Sequence, residues 1–375
     1  MGVSMDIEEI REKSRPQDDS QYMGWVCSYT PEELLMAAGF TPYRLLTATD
    51  LPSGSEAYLA PNLCPYVHRL FSAARQGRYY FLTGSVFVLS CDAMRRLSDI
   101  WSLYLDSGFV YNLDVPRRWD KHAEEFFRKG LQDLRDCLQS LTGRRIRDED
   151  VSYAVDTVNC TRILMQRLFD LRFQDPELLS GEEVLSLCRI STTSDKKKFN
   201  ICLQQFLQEL SGWDNAPERN KAGYKRIMLY GNIVEDGSIY FLVEQAGGEV
   251  VLDDHCLSSR HFDLLVEEQL PPLQGIAQRY LQKCSCPRMQ GMQERVDRIV
   301  ENILHCRCDG LIIHSLKFCD LLQSELPRLE RVLKSKGIEF LHIERENLAE
   351  DPGQLKTRIE AFMEVLGRKR DGNCN

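Results

Sequence analysis

The stretch CDGLIIHSLKFCDLLQSELPRLERVLKSKGIEFLHIE, from Cys308 to Glu344, decides the fold. It contains an apolar run, GLII, then the helical pattern ELPRLERVLKSKG, then a second apolar run, IEFLHIE. Short apolar runs bounded by turn residues are typical of buried strands, and two of them joined by a helix favour a parallel sheet. Cys319 stands where the first strand ends and the helix begins, which is where α/β proteins place their ligand-binding groups.

The same alternation of strands and helices occurs on both sides of this unit. The helix predicted at TPEELLMAAG has Thr30 as N-cap, Glu33 as the partner in a capping box and Gly39 as its end. Between the two α/β parts the pattern is mostly helical, with STTSDKKKFN as an exposed polar connection. The other predicted strands are YRLLT, SVFVLS, GFVYNLDV, RIMLYG and EVVLDD.

These patterns predict an α/β fold with two Rossmann-like parallel-sheet domains and a helical insert between them. The expected boundaries are an N-terminal lead-in helix at 1–21, an N-terminal α/β domain at 22–118, the insert at 119–212 and a C-terminal α/β domain at 213–375.

Composition excludes several classes of protein. The net charge is −9, whereas a nucleic-acid-binding protein would present a basic face. No apolar run reaches the length of a membrane span, and the polar, acidic start does not resemble a signal peptide. We therefore expect a cytoplasmic protein with neither nucleic-acid nor membrane partners. Cytoplasmic cysteines do not usually form disulfides.

The 14 cysteines are the informative feature. Cys137, Cys160, Cys188 and Cys202 fall inside helical patterns and are interpreted as packed thiols, and Cys374 lies in the C-terminal tail. The remaining candidates lie at ends of strands or helices, where a helix N-terminus lowers the pKa of a thiol and favours the metal-binding thiolate. They are Cys27, Cys64, Cys91, Cys256, Cys284, Cys286 and Cys319.

Two kinds of metal centre commonly have cysteine thiolates as ligands, a zinc site and an iron–sulfur cluster. The pairs Cys284/Cys286 and Cys306/Cys308 could form a four-thiolate zinc site, but Cys306 and Cys308 run directly into a predicted strand. Ligands scattered over both α/β parts instead favour an iron–sulfur cluster between them.

At these residues the chain resembles the 2-hydroxyacyl-CoA dehydratase family, which includes benzoyl-CoA reductase subunits and double-cubane cluster proteins. The resemblance covers residues from about 22 to 367 and is most specific in the opening stretch and in GQLKTRIEAFMEVL. It is also carried by CSYTPEELLMAAGFTPYRL, NLCPYVHRL, CDAMRRLSDIW and YGNIVEDGSIYFLVEQAGGEVVLDD.

The resemblance implies that Cys27, Cys64 and Cys319 hold one [4Fe–4S] cluster. It further implies a separate ATP-dependent iron–sulfur activator that supplies a low-potential electron, and a homodimer or a heterodimer with a related subunit. The electron would form a ketyl radical from the thioester carbonyl of an acyl-CoA substrate, as in an (R)-2-hydroxyacyl-CoA dehydratase-like lyase. The chain itself has no Walker motif.

Two alternatives remain. Cys91, Cys256 and one of Cys284 or Cys286 would complete the six ligands of a double-cubane [8Fe–9S] cluster, as in ATP-dependent low-potential reductases of small molecules. Alternatively, the chain is a cluster-less or zinc-bound protein without catalytic activity.

No catalytic side chain is identified, and two segments have competing interpretations. DDHCLSSRHF, with His255, Ser258, Ser259, Arg260 and His261, is either a substrate pocket or a surface turn. His314 and Ser315 either face the cluster or include a structural histidine whose hydrogen bonds are satisfied.

Overall fold

The structure, a computed structural model, describes residues 6–17, 19–47, 54–176, 178–211, 224–283, 286–346 and 352–372. Within these residues it contains two four-stranded sheets, and every strand pair is parallel. The predicted α/β class with two Rossmann-like sheets is therefore confirmed.

The first sheet and its helices come from the first part of the chain. These elements are α1 (Ile7–Lys13), β1 (Tyr22–Val26), α2 (Glu32–Ala37), β2 (Thr41–Arg44), α3 (Pro65–Arg75), β3 (Leu82–Val88), α4 (Asp92–Tyr104) and β4 (Phe109–Leu113). Four helices follow: α5 (Lys121–Thr142), α6 (Asp148–Gln174), α7 (Gly181–Thr193) and α8 (Lys196–Ser211).

The second sheet and its helices come from the last part of the chain. These elements are β5 (Lys225–Gly231), α9 (Ser238–Gln245), β6 (Gly248–Asp254), α10 (Ser259–Phe262), α11 (Pro272–Gln282), α12 (Met292–His305), β7 (Gly310–Leu316), α13 (Asp320–Gln323), α14 (Leu326–Ser335), β8 (Phe340–Arg345) and α15 (Pro352–Gly372).

Both sheets have the same strand order. The first runs β2-β1-β3-β4 and the second β6-β5-β7-β8. In each sheet the order reverses between two central strands, β1 and β3 in the first and β5 and β7 in the second. A crevice forms at the carboxyl ends of the strands where such a reversal occurs, and doubly wound folds bind their ligands there.

The central strands are buried on both faces, which explains their continuous apolar runs. All seven residues of β7 are buried. Gly231 ends β5 with φ +146°, and a Cβ atom there would lie 1.9 Å from the carbonyl oxygen of His314 in β7. Only glycine, which lacks a Cβ, allows β5 and β7 to meet at this point.

The two halves face each other with the carboxyl ends of their strands. Beyond β2, the backbone N–H of Thr47 donates to Glu235, which follows β5, at 2.8 Å. Arg44 of β2 donates to the carbonyl oxygen of Cys256, the second residue after β6, at 2.7 Å. Both crevices therefore open toward the boundary between the halves.

Two local predictions were wrong. The α2 helix begins after Pro31, because the Thr30 hydroxyl donates to the carbonyl of Val26 and Glu33 binds Arg162 instead of closing a capping box. The segment STTSDKKKFN is largely helical and buried, since Thr192 bonds to carbonyls of its own helix and Lys196 pairs with Glu32 at 2.8 Å.

Candidate metal centre

Three predicted ligands lie at the carboxyl edge of the first sheet or at the start of a helix. Cys27 directly follows β1, and Cys91 is the N-cap of α4, three residues after the end of β3. Cys64 is the N-cap of α3. Cys27 and Cys91 thus lie on the two sides of the first crevice.

The second half supplies three more described cysteines. Cys256 follows β6, Cys319 is the N-cap of α13 after β7, and Cys286 follows α11. Cys284 lies outside the described residues.

Cysteines of the two halves are close enough to influence one another electrostatically. Burial and, after it, the charges of Cys319 and Cys91 raise the pKa of Cys64 to about 12. Burial, with smaller contributions from Cys27 and Cys319, raises the pKa of Cys91 to about 11. The charge of Cys256 in turn adds to the raised pKa of Cys319. The structure thus brings these thiols to one region between the sheets.

Cys256 and Cys286 are in direct contact. The thiol of Cys286 donates a hydrogen bond to the sulfur of Cys256. This bond lowers the pKa of Cys256 and raises that of Cys286. The Arg260 guanidinium lies 3.9 Å from the Cys256 sulfur and also favours the Cys256 thiolate.

The expected effect of helix N-termini on the thiols is outweighed at Cys64, Cys91 and Cys319. Although Cys91 accepts a 3.5 Å hydrogen bond from the backbone N–H of Met94, burial still raises its pKa. Desolvation destabilises the thiolate here by more than the N-terminus of one helix stabilises it. Without a bound cation, these thiols are therefore held in their neutral form.

The backbone is strained at one predicted ligand, Cys27, and directly before another, Cys319. Cys27 has φ +73° and Phe318, directly before Cys319, has φ +61°. Left-handed conformations are uncommon for residues other than glycine and cluster at functional sites.

Three side chains that sequence reasoning missed lie around the cysteines: Arg44 and Lys283 are buried and Asn232 is half-buried. Asn232 donates to the sulfur of Cys319 at 3.2 Å. Arg44 and Lys283 are 1% and 0% exposed, and Lys283 donates to the carbonyl of Ser28, beside Cys27, at 2.6 Å. Only the position of Asn232, immediately after a predicted strand, was a usable signal.

The chemistry of these thiols is compatible with an iron–sulfur cluster. Among the described residues, no three His, Cys, Asp or Glu side chains are grouped to hold one metal ion. In a [4Fe–4S] cluster each cysteine binds a different iron atom, so the sulfurs need not meet at one point. Thiols from both halves, with buried cations beside them, fit an anionic cluster of this kind.

The described cysteines of the zinc alternative lie at opposite edges of the second sheet. Cys306 and Cys308 precede β7 at the amino edge, whereas Cys286 is hydrogen-bonded to Cys256, which follows β6 at the carboxyl edge. Of the cysteines predicted as packed thiols, Cys188 and Cys202 are buried, Cys137 is half-buried and Cys160 is exposed.

The segment DDHCLSSRHF is buried, so the alternative of a surface turn is wrong. His255 lies 2.9 Å from the Tyr240 hydroxyl, which donates to Asp253, and burial lowers the pKa of His255 to about 4. His261 lies 2.9 Å from a carboxylate oxygen of Glu32. These contacts connect the loop that contains Cys256 to α9 through Tyr240 and to α2 through Glu32.

His314 is not the satisfied structural histidine of the competing interpretation. It is 1% exposed, and neither ring nitrogen has a hydrogen-bond partner among the residues described. Burial lowers its pKa to about 3. Ser315, by contrast, is hydrogen-bonded to His342 at 2.7 Å.

In the part of the chain that the structure describes, no helix is both long and apolar enough to cross a bilayer.

Comparison with known proteins gives a consistent set of matches. Residues 27–366 match the family described as "2-hydroxyglutaryl-CoA dehydratase, D-component". The chain is 23% identical to the (R)-phenyllactyl-CoA dehydratase beta subunit of Clostridium sporogenes, with 94% of each chain covered. It is 22% identical to a benzoyl-CoA reductase subunit of Thauera aromatica, covering 94% of this chain and 92% of that one. It is 23% identical to the (R)-2-hydroxyglutaryl-CoA dehydratase beta subunit of Acidaminococcus fermentans, covering 92% of each.

Proposed function

Because the chain belongs to the family of 2-hydroxyglutaryl-CoA dehydratase D-components, we propose that it is the iron–sulfur subunit of a 2-hydroxyacyl-CoA dehydratase or benzoyl-CoA reductase-like enzyme. Its electrons come from an ATP-dependent iron–sulfur activator. The named relatives are themselves subunits of dehydratases and a reductase, which supports a partner subunit for this chain as well.

The observation that carries the proposal is the gathering of cysteines from both halves at the carboxyl ends of two parallel sheets. Cys27, Cys64 and Cys319 are the proposed ligands of one [4Fe–4S] cluster. This is supported by the charge of Cys319, which contributes to the raised pKa of Cys64. When bound, such a cluster supplies single electrons at low potential to the acyl thioester.

The protein's own residues prepare the site for that chemistry. Partial burial of the three cysteines limits their contact with water, and Asn232 donates a hydrogen bond that stabilises the Cys319 thiolate. The backbone at Cys27 is left-handed, a strained conformation that clusters at functional sites.

The second candidate function is a double-cubane [8Fe–9S] reductase of small molecules. It is favoured by one observation, that Cys91, Cys256 and Cys286 share the region with the three proposed ligands. Six thiols exceed what a single [4Fe–4S] cluster with an open iron requires.

Metal analysis after anaerobic purification distinguishes these functions. About four irons per chain support the dehydratase-type cluster and about eight the double cubane. A colourless, iron-free protein, or one that contains zinc, would contradict both and leave the cluster-less alternative.

Replacement of single cysteines tests the ligand set. Cys319→Ser is expected to remove or alter the electron paramagnetic resonance signal of the reduced protein. Cys160→Ser, which changes an exposed thiol on α6, is the matched control and is expected to leave it unchanged. An unaltered spectrum in Cys319→Ser would exclude this residue as a ligand.

A further inference from the structure

Two buried cations at the candidate centre lack a counter-charge in the part of the chain that the structure describes. Arg44 and Lys283 are 1% and 0% exposed. Among the described residues, no carboxylate lies within ion-pair distance of either. Arg260, also buried, differs because it pairs with Asp254 at 2.6 Å.

Backbone carbonyls and aromatic rings hold these two cations in place. Arg44 donates to the carbonyl of Cys256 at 2.7 Å and lies over the ring of Trp25 at 5.0 Å, while its Nε atom has no partner among the described residues. Lys283 donates to the carbonyl of Ser28 at 2.6 Å and lies 5.0 Å from the ring centre of Tyr29.

Carbonyls and rings orient a cation but do not neutralise it. Burying an ionised group without a counter-charge costs several kcal/mol, on the order of what a whole domain gains on folding. Arg44 stays charged at any ordinary pH, so its burial requires an anion close by. Burial lowers the pKa of Lys283 well below its ordinary value, so Lys283 keeps its proton only beside the same anion.

Both cations act on the cysteines. Arg44 and Lys283 each favour the Cys256 thiolate, with Arg260, and so contribute to its lowered pKa after the hydrogen bond from Cys286. The charge of Cys27 in turn acts on Lys283. The two cations thus face thiols of both halves.

We infer that Arg44 and Lys283 are the counter-charges of the thiolate-bound cluster, which hold it in the protein and raise its reduction potential. This inference rests on the proposed function. Iron–sulfur clusters with their thiolates carry net negative charge, and a nearby buried cation stabilises the more negative, reduced state. The two residues act on the cluster through space and are positioning residues.

The test compares Arg44→Met, which removes the charge at similar volume, with Arg44→Lys, which retains it. Both are purified anaerobically with their cluster, and the midpoint potential is measured by spectroscopically monitored redox titration. Arg44→Met is expected to lower the ratio of reduced to oxidised cluster about tenfold at a given potential, or about 59 mV for one electron. Arg44→Lys is expected to remain within about threefold of the wild type.

A second readout requires no titration. Loss of iron to a chelator is expected to be about tenfold faster in Arg44→Met than in Arg44→Lys. If Arg44 were only a structural donor to Cys256, both variants would lower the melting temperature of the iron-free protein similarly, and the potential would not differ between them.

Lys283→Met and Lys283→Arg repeat the comparison from the other half, in case Arg44→Met does not fold. Lys197→Met is the control, because it removes an exposed charge on α8. Equal potentials and equal chelator rates in the Met and Lys variants would overturn the inference. An iron-free wild-type protein would instead overturn the proposed function.

Discussion

Asn232 uses both ends of its side-chain amide. Its oxygen accepts the backbone N–H of Leu316 at 2.7 Å, and its nitrogen donates to the sulfur of Cys319 at 3.2 Å. The first contact fixes the orientation of the amide, so a donor always faces the sulfur. A donor stabilises the thiolate over the thiol.

Asn232→Asp keeps the acceptor for Leu316 but replaces the donor to Cys319 with a carboxylate oxygen. Burial already raises the pKa of Cys319, and loss of the donor beside a new negative charge is expected to raise it further. Alkylation of Cys319 in the iron-free protein at neutral pH should slow about tenfold, since one pKa unit changes the thiolate fraction tenfold.

The rate is measured by mass spectrometry of the Cys319 peptide at timed intervals. Exposed Cys160 in the same sample is the internal control and should react at an unchanged rate. An equal rate for Cys319 in both proteins would show that Asn232 does not control this thiol.

Gly231 offers a test of the close approach of β5 and β7. Gly231→Ala is expected to reduce the free energy of unfolding by about 3 kcal/mol or more, because the new Cβ would meet the His314 carbonyl in a conformation that alanine disfavours. Gly143→Ala is the matched control, since Gly143 also has positive φ but open space around it.

Gly143→Ala should cost only about 1 kcal/mol, the penalty of the left-handed conformation itself. Urea unfolding of the two variants measures the difference. Equal losses would mean that β5 and β7 do not need glycine at this contact.

At this scale the sequence predicted the cysteines but not their surroundings. Cys91 and Cys319 could be found because strand ends are visible as the ends of apolar runs, and Cys27 because it precedes a predicted helix. Arg44 and Lys283 could not, because each looks like an ordinary surface cation until the chain folds. Their importance depends on which distant carbonyl or thiol they reach, and local patterns do not encode that.

Among the helices, the start of α8 carries a buried charge that holds α2. Lys196, 3% exposed, pairs with Glu32, which also lies 2.9 Å from His261. Burial would raise the pKa of Glu32, but Lys196 and His261 outweigh it and the pKa is lowered. A lowered carboxyl pKa contributes stability above the ordinary value of 4.5, and this contribution is lost as the pH falls below it.

Lys196→Met is therefore expected to destabilise the protein by about 3–5 kcal/mol at neutral pH, since it leaves the buried Glu32 charge without its main partner. In the variant, burial dominates and raises the pKa of Glu32 above its ordinary value. Protonation then removes the uncompensated charge, so the difference from the wild type should shrink as the pH is lowered to about 4.5.

Urea unfolding at the two pH values measures this. Lys197→Met, which changes the exposed neighbour of Lys196, is the control and should stay within about 0.5 kcal/mol of the wild type at both. A pH-independent difference for Lys196→Met would exclude the Glu32 charge as its cause.

Elements were predictable where burial and local pattern agree. The strands β3, β5, β6 and β7 were found from their apolar runs, because parallel strands buried on both faces leave a continuous signal. The edge strands β4 and β8 were also found, although most of their residues are only half-buried. STTSDKKKFN was misread for the opposite reason. Its hydroxyls bond to helix carbonyls and Lys196 to a distant carboxylate, so a polar segment is buried.

The whole molecule is organised as two sheets of equal strand order whose carboxyl ends face each other. The likeness of the halves was visible in their repeated strand–helix alternation. Their mutual orientation was not, because it depends on contacts such as Thr47 with Glu235 and Arg44 with the Cys256 carbonyl. The presence of candidate ligands in both halves, and then the resemblance to a family, indicated that they would converge.

Ligands from both halves make the cluster a link between them, and this has a thermal consequence. A group that binds only the folded chain stabilises it in proportion to its affinity, and one held by both halves also resists their separation. Reconstitution with iron and sulfide is therefore expected to raise the melting temperature by several degrees, measured anaerobically by differential scanning calorimetry. Cys319→Ser should lose most of this increase, while Cys160→Ser should retain it. Equal melting temperatures for the iron-free and the reconstituted wild type would mean that the halves are held together without the cluster.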